Sequence, residues 1–228
     1  MTTLDLRLLG PPQIAASSAT LHFPTRKTLA LLVYLAVEGG IHSRDALAAL
    51  LWPDSDGSRA RANLRNTLNY LRNTLPAGES GATPHLIVER DALGFNAQAP
   101  HSLDWQILEK AAAGDDERLL QQALDCYRGD FLQGFTPGDA PQFDHWVSLH
   151  REIAHRQMNA VLDRLSRSRF EAGDWQGARQ TVDRWLVHDE LQEAAYQRLM
   201  RIQLAQGNRA AALQTYERCA AVLRDELN

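Results

Sequence analysis

The chain has 228 residues, of which 44% are hydrophobic and 23% are charged, and its formal net charge is −4. This composition is typical of a folded protein of one or two domains and excludes a collagen-like or wholly disordered chain. The longest apolar run, residues 29–37, has nine residues, whereas a membrane-spanning helix needs about 20. Because the N-terminus also lacks a secretory signal pattern, we expect a cytoplasmic protein with no membrane partner.

The two cysteines, Cys126 and Cys219, lie far apart, and neither belongs to a CxxC pair. A disulfide framework or a zinc site is therefore not expected. The sequence also lacks the Walker loop and the GxSxG, HExxH and GxGxxG motifs that mark common enzyme classes. We therefore expect a protein that is not an enzyme, with no catalytic residue, no metal and no cofactor.

The chain begins with strand patterns. Residues 4–8 alternate apolar and charged side chains with the period of a half-buried strand. A Gly-Pro-Pro sequence at residues 10–12 predicts a turn, and residues 13–16 and 20–23 are two further short strand candidates. A small N-terminal β-sheet is therefore expected.

Three helices are predicted next. Thr25 and Ser43 are residue types that cap helix N-termini, and each stands immediately before an apolar run. Pro76 and Gly78 are helix breakers that end the third helix. The three helices are expected to run from Thr25 to about Glu38, from Arg44 to about Trp52, and from Ser58 to about Leu75.

Two short strands close this half of the chain. Residues 86–88 and 94–97 predict a hairpin with Arg90 and Asp91 at its tip. Strands, three helices and a closing hairpin are the element order of a winged helix-turn-helix with an N-terminal β-sheet. We assign this domain to residues 1–101.

The third helix combines an apolar stripe with a polar face. Four leucines recur at helical spacing and are expected to dock on the first two helices: Leu64, Leu68, Leu71 and Leu75. Three amides point away from that stripe, and three arginines flank them along one edge: Asn66, Asn69 and Asn73, with Arg61, Arg65 and Arg72. Residues 57–78 contain four arginines and no acid.

This polar face matches the chemistry of a DNA major groove. An asparagine can bond N6 and N7 of adenine, and an arginine can bond guanine or a phosphate. A solvated amphipathic helix is the alternative, although surface helices usually mix both signs of charge. The residues expected to read bases are Arg65, Asn66, Asn69 and Asn73. The residues expected mainly to hold phosphates are Arg59, Arg61 and Arg72.

Weaker contacts with double-stranded DNA are expected outside the third helix. Arg26 and Lys27 open the first helix, where unpaired N–H groups also favour a phosphate. Arg90 at the hairpin tip could reach a neighbouring groove or the DNA backbone. Trp52 and Tyr70 are expected to lie in the core rather than to stack on bases.

From about Leu103 onward the strand patterns give way to helices. These are expected over residues 103–113, 115–128, 142–171, 174–187, 190–206 and 209–227. Gly173 and Gly207 begin similar segments 34 residues apart, which is the period of tetratricopeptide repeats. We therefore expect residues 102–228 to form an all-α, tetratricopeptide-like domain. The fold class is then mainly α with a small β component.

Short motifs stand in a fixed order along both halves. In the first half they are Phe23-Pro24-Thr25-Arg26-Lys27, Ser43-Arg44-Asp45-Ala46-Leu47, Leu51-Trp52 and Ala62-Asn63-Leu64-Arg65. In the second half they are Leu103-Asp104, the run from Ala123 to Leu132, Trp146-Val147 and the turns at Gly173 and Gly207. The first set resembles the OmpR-type winged helix of the SARP (antibiotic regulatory protein) transcription activators. The second set resembles the bacterial transcriptional activator domain of the same family.

The resemblance implies a transcription activator that binds direct repeats near a promoter as side-by-side protomers and recruits RNA polymerase. A homodimer on DNA is then expected. The alternative is an adaptor without DNA-binding activity, whose helical repeats bind a protein partner. That alternative stays open because residues 105–228 hold fifteen basic and nineteen acidic side chains.

Overall fold

The computed structural model describes residues 3–76 and 84–227, so the predicted helix breaker Gly78 lies outside the described residues. The elements, in chain order, are β1 (Leu4–Arg7), β2 (Gln13–Ala16), β3 (Ala19–Thr20), α1 (Arg26–Glu38), β4 (Ile41–Ser43), α2 (Arg44–Leu51), α3 (Gly57–Thr74), β5 (Leu86–Val88), β6 (Ala92–Phe95), β7 (His101–Leu103), α4 (Asp104–Ala112), α5 (Glu117–Cys126), α6 (Pro141–Glu171), α7 (Trp175–His188), α8 (Glu193–Ala205) and α9 (Arg209–Leu227). The predicted fold class, mainly α with a small β component, is confirmed.

The chain divides into two compact units. The first unit comprises Met1–Gln106 and Tyr127–Glu152, and the second comprises Ile107–Cys126 and Ile153–Asn228. These units follow contacts in space and do not each correspond to one continuous segment. The domain division at residues 101 and 102 therefore stays a prediction.

The first unit contains a four-stranded sheet in the order β3-β2-β1-β7. β1 and β2 are antiparallel neighbours, whereas β7 pairs in parallel with β1 and places His101 opposite Leu4. Leu4 and Leu6 are fully buried because alternate side chains of β1 face the core. The prediction of a third strand over residues 20–23 was wrong in extent, since β3 is confined to Ala19–Thr20.

The winged helix-turn-helix of the first unit begins its helices at polar caps. Thr25 accepts a hydrogen bond from the backbone N–H of Thr28 at 3.1 Å, and Ser43 accepts one from Ala46 at 3.2 Å. Each cap satisfies a donor that the first helical turn leaves unpaired. The predicted helix starts at Thr25 and Ser43 are therefore confirmed.

A second sheet of the first unit forms the wing, in the order β4-β6-β5. β4 was missed by sequence reasoning because it has three residues with no alternating pattern. Its pairing with β6 requires a glycine at position 94, since a Cβ atom there would lie 2.5 Å from the carbonyl oxygen of Gly40. The same sheet therefore fixes the wing hairpin to the start of α2.

Residues from the second half of the sequence complete the first unit. The backbone N–H of Leu132 donates to Leu8 at 2.8 Å, and that of Arg128 donates to Leu9 at 3.0 Å. Leu9 also forms an isolated antiparallel bridge with Phe131. This bridge lies beyond Leu103, near which strand structure was expected to end, and β7 (His101–Leu103) is a strand that the sequence pattern missed. Backbone pairing across long sequence separations leaves no local pattern.

The second unit is helical and contains the predicted repeat. Gly173 and Gly207 stand at the starts of the two similar segments, with φ of 78° and 76°, in the left-handed region that favours glycine. Within the unit, α7 contacts α8, and α8 contacts α9. The tetratricopeptide-like arrangement of helix hairpins predicted from the 34-residue period is therefore confirmed.

Candidate nucleic-acid interface

Asp56 caps the N-terminus of α3, and its carboxylate accepts the backbone N–H of Arg59 at 2.8 Å. Its buried side chains are Ala60, Leu64, Thr67, Leu68 and Leu71. α3 contacts α1 and α2 within the first unit. The predicted apolar stripe is therefore present, and it fixes which side of α3 is left for solvent or for a ligand.

The opposite side of α3 is exposed along its length. Its exposed polar residues include Arg59, Arg61, Arg65, Asn66, Asn69, Arg72 and Asn73. Tyr70 lies on the same side and is 45% exposed, so the expectation that it lies in the core was wrong. At about 100° per residue, Tyr70 flanks the amides on the edge opposite Arg65 and Arg72. Tyr70 lies next to the apolar stripe along the helix, and an aromatic side chain at that position is typical of the buried set.

Arg61 departs from the sequence prediction. No acid occurs on α3, but the preceding helix α2 supplies one: Nε and Nη2 of Arg61 donate to the Asp45 carboxylate at 2.7 and 3.0 Å. This hydrogen bond lowers the pKa of Asp45 and raises the pKa of Arg61. The expectation that nothing compensates the arginines was therefore wrong for Arg61, because the acid comes from another helix.

A cleft of about 480 Å³ lies between the N-terminus of α2, the helix α3 and the tip of the wing. Its lining residues are Ser43, Arg44, Asp45, Arg61, Leu64, Arg65, Arg90 and Asp91. The structure thus brings three predicted arginines, Arg61, Arg65 and Arg90, to one cleft. Among residues 3–76 and 84–227, the guanidinium groups of Arg65 and Arg90 have no hydrogen-bond or ion-pair partner.

Arg44 is a component of this cleft that sequence reasoning did not single out. Its backbone N–H donates to Asp91 at 3.0 Å, and its Nη2 donates to the carbonyl of Glu89 at 2.9 Å. Both acceptors flank Arg90 in the turn of the wing. Arg44 therefore holds the turn that carries Arg90. A basic residue directly after the Ser43 cap was the only sign of it in the sequence.

Arg26 and Lys27 have other contacts at the start of α1. A guanidinium nitrogen of Arg26 donates to the carbonyl of Thr136 at 3.2 Å. The Lys27 ammonium lies 5.4 Å from the centre of the Trp52 ring, a cation–π distance. Trp52 is half-buried, and neither basic residue lines the cleft.

Residues 3–76 and 84–227 contain no group of three or more His, Cys, Asp or Glu side chains arranged to hold a metal ion. In the same part of the chain, every helix is too short or too polar to cross a membrane.

Residues 103–228 match the bacterial transcriptional activator domain. The chain belongs to this family. It is a transcription regulator of the SARP type, as the sequence motifs indicated, and this family consists of regulators rather than enzymes. The matched region contains Asp104, Trp146 and both repeat glycines, which belong to the motifs that resemble this family.

Curated relatives agree with this assignment. The transcriptional regulatory protein EmbR of Mycobacterium tuberculosis (strain ATCC 25618 / H37Rv) is 28% identical over 195 residues, which cover 74% of this chain and 49% of the relative. The Mycobacterium bovis protein of the same name matches with the same identity and coverage. The chain thus spans about half the length of the curated relatives that it matches.

A solved structure shows the same fold. M. tuberculosis EmbR in complex with a low affinity phosphopeptide superposes on the whole of this chain and on 61% of its own length, with a TM-score of 0.75. The sequence identity in that superposition is 21%. At this identity the comparison shows that the SARP-type regulator and EmbR share a fold.

Proposed function

We propose that this regulator binds double-stranded DNA with α3 in the major groove and the wing against the neighbouring backbone. The observation that carries the proposal is the exposed face of α3, where Asn66, Asn69 and Asn73 stand beside arginines. Nothing among the described residues pairs with the guanidinium groups of Arg65 and Arg72. An unpaired cation beside free amides suits a surface that reads base edges and holds phosphates.

The roles of individual residues follow from their positions. Arg65, Asn66, Asn69 and Asn73 read bases. Arg59 and Arg72 hold phosphates, and Arg61 joins them in the bound state. Arg90 contacts the DNA from the tip of the wing, in a turn held by Arg44. Arg26 and Lys27 make at most peripheral phosphate contacts, because both already have partners within the first unit.

We further propose that the protein activates transcription by binding direct repeats near promoters as a homodimer and recruiting RNA polymerase. Membership of the bacterial transcriptional activator family supports this part of the proposal. Residues 1–101 would then be the DNA-binding domain, and residues 102–228 the activator domain.

A second candidate function is a protein-interaction adaptor. The supporting observation lies in the second unit, where α8 and α9 expose large apolar side chains. Leu204 is 52% exposed, and Leu213 and Tyr216 are each 59% exposed. Exposed apolar patches mark protein-binding surfaces. The adaptor function alone would leave the unpaired arginines of α3 without a role.

Binding to a duplex at several salt concentrations tests the proposal. Fluorescence anisotropy with a labelled random-sequence duplex should show that log K falls with log salt, with a slope of about −0.9 per phosphate contacted. Arg72→Ala should reduce the magnitude of this slope by about 0.9, which corresponds to one phosphate contact. The matched control is Arg7→Ala, which removes an equal charge from β1 outside the interface and should leave the slope unchanged. Absence of duplex binding at low salt would favour the adaptor.

A further inference from the structure

Arg61 is the only arginine of α3 whose guanidinium has an ion-pair partner among the described residues. It is held in a two-point contact, with its Nε 2.7 Å from Oδ1 of Asp45 and its Nη2 3.0 Å from Oδ2. Two parallel N–H donors on one planar acceptor are also the geometry with which arginine binds a phosphate. Arg61 therefore already makes, with Asp45, the contact that it would make with DNA.

Asp45 occupies an electropositive position. It lies in the first turn of α2, just after the Ser43 cap, where the helix dipole favours an anion. It shares the cleft with Arg44, Arg65 and Arg90. Asp91 is the other acidic residue of the lining, and its backbone carbonyl binds the N–H of Arg44. The Asp45 carboxylate thus stands where a phosphate between α3 and the wing would find most of its donors.

The Asp45–Arg61 pair is suited to exchange because solvent reaches both partners. The Arg61 side chain is 66% exposed and the Asp45 side chain is 68% exposed. Exposed ion pairs of this kind shift an equilibrium by no more than about fivefold. A DNA phosphate, backed by the neighbouring arginines, therefore has only a weak and solvent-exposed contact to displace.

We propose that Asp45 holds Arg61 in the DNA-free protein and that a backbone phosphate displaces Asp45 from Arg61 on binding. Asp45 then acts as an internal competitor that lowers affinity for every duplex and keeps Arg61 oriented. This inference rests on the proposed DNA-binding function and assigns a role to one acid of that site.

A double-mutant cycle on the full chain tests the exchange, with anisotropy of a random-sequence duplex measured over a range of salt. Asp45→Asn should tighten binding by up to about fivefold. Arg61→Ala should reduce the slope of log K against log salt by about 0.9, since one phosphate contact is lost. Asp45→Asn should tighten binding less when combined with Arg61→Ala, because no pair is left to break.

The control removes the same charge from a similar pair elsewhere in the first unit. Asp5 pairs with Arg7 at 2.8 Å on β1, so Asp5→Asn should leave affinity close to that of the wild type. Equal tightening by Asp5→Asn and Asp45→Asn would overturn the proposal in favour of a general charge effect. An unchanged salt slope in Arg61→Ala would overturn it too, since Arg61 would then never reach a phosphate. If the wild type binds no duplex, the proposed function fails together with this inference.

Discussion

The backbone N–H of Leu8 donates to both carboxylate oxygens of Asp104, at 2.9 and 2.7 Å. The N–H of Leu9 donates to the same carboxylate at 2.9 Å, and Asp104 is only 3% exposed. Asp104 is the first residue of α4, whereas Leu8 and Leu9 directly follow β1. One buried side chain therefore ties the beginning of the activator match to the N-terminal sheet.

Asp104→Ala should destabilise the protein markedly. It would leave two buried backbone N–H groups without an acceptor, and each such group costs about 1–3 kcal/mol. Urea unfolding monitored by circular dichroism measures the loss. Asp183→Ala, at an exposed position of α7, serves as the control and should stay within about 0.5 kcal/mol of the wild type. Equal stability of the two variants would show that the Asp104 hydrogen bonds contribute little.

The buried carboxyl group of Asp104 should also make the free energy of unfolding depend on pH. Burial raises the pKa of Asp104, and the N–H groups of Leu9 and Leu8 offset that rise only in part. The folded protein thus retains this proton at a higher pH than the unfolded chain does. The stability that this raised pKa contributes is fully present below the unfolded-state pKa and is lost as pH rises through the folded-state pKa.

Comparison with Asp104→Asn isolates this effect, because asparagine does not titrate. The free energy of unfolding of the wild type minus that of the variant should decrease as pH rises from the acid range towards neutrality. An increase over the same range would mean that the backbone N–H groups outweigh burial and hold the carboxylate charged.

The apolar stripe of α3 should carry most of the stability of this helix. Leu71 is fully buried, and Leu71→Ala should cost about 2–5 kcal/mol through lost burial and the cavity left behind. Asn69→Ala on the exposed side of the same helix should change stability by less than about 0.5 kcal/mol. Urea unfolding of both variants measures the contrast. Similar losses at the two positions would contradict the assignment of buried and exposed faces.

Trp146 is expected to stabilise the first unit through its indole N–H. That group donates to the carboxylate of Glu38, and the ring packs on Tyr34 with centroids 5.2 Å apart. Trp146→Phe keeps an aromatic ring but removes the donor, and it should cost on the order of 1 kcal/mol, since the site is partly exposed. Thermal unfolding measures this cost.

Trp175→Phe provides the matched control for Trp146→Phe. Trp175 is 37% exposed and packs on Phe170 at 5.2 Å, and among the described residues its side chain makes no hydrogen bond. The control should therefore lose less stability than Trp146→Phe. The reverse order would mean that the contact with Glu38 adds nothing beyond ring packing.

Arg65 and Arg72 should differ in their effects on DNA recognition. Arg65→Ala removes a base contact, so it should weaken binding to the preferred duplex roughly 5- to 150-fold and relax the preference at one base pair. Arg72→Ala should weaken binding to all duplexes by a similar factor, because a phosphate contact carries no sequence information. Competition assays with singly substituted duplexes distinguish the two. A uniform loss in Arg65→Ala would reassign Arg65 to the backbone.

Local sequence signals predicted much of the fold. Thr25 and Ser43 marked helix starts because capping is decided by a residue and its next few neighbours. The leucines of α3 identified its buried side, and Gly173 and Gly207 identified the repeat. In each case the physical cause operates within one or two helical turns.

The remaining features depend on residues far apart in sequence. β7 is a strand because it pairs with β1. The ion-pair partner of Arg61 is Asp45, which lies on another helix. Tyr70 lies beside the apolar stripe, and only tertiary packing decides on which side it falls. The cleft at Arg90 likewise depends on how the wing meets α2, which no local pattern encodes.

Selection of bound fragments from randomised duplex DNA tests the central claim most directly. The wild type should enrich one motif containing adenines, because free asparagine amides on α3 pair with N6 and N7 of that base. Asn69→Ala should retain the motif but lose the preference at one adenine. Failure of the wild type to enrich any motif at low salt, or an identical motif from the wild type and from a variant with all three asparagines replaced by alanine, would contradict base recognition by these amides.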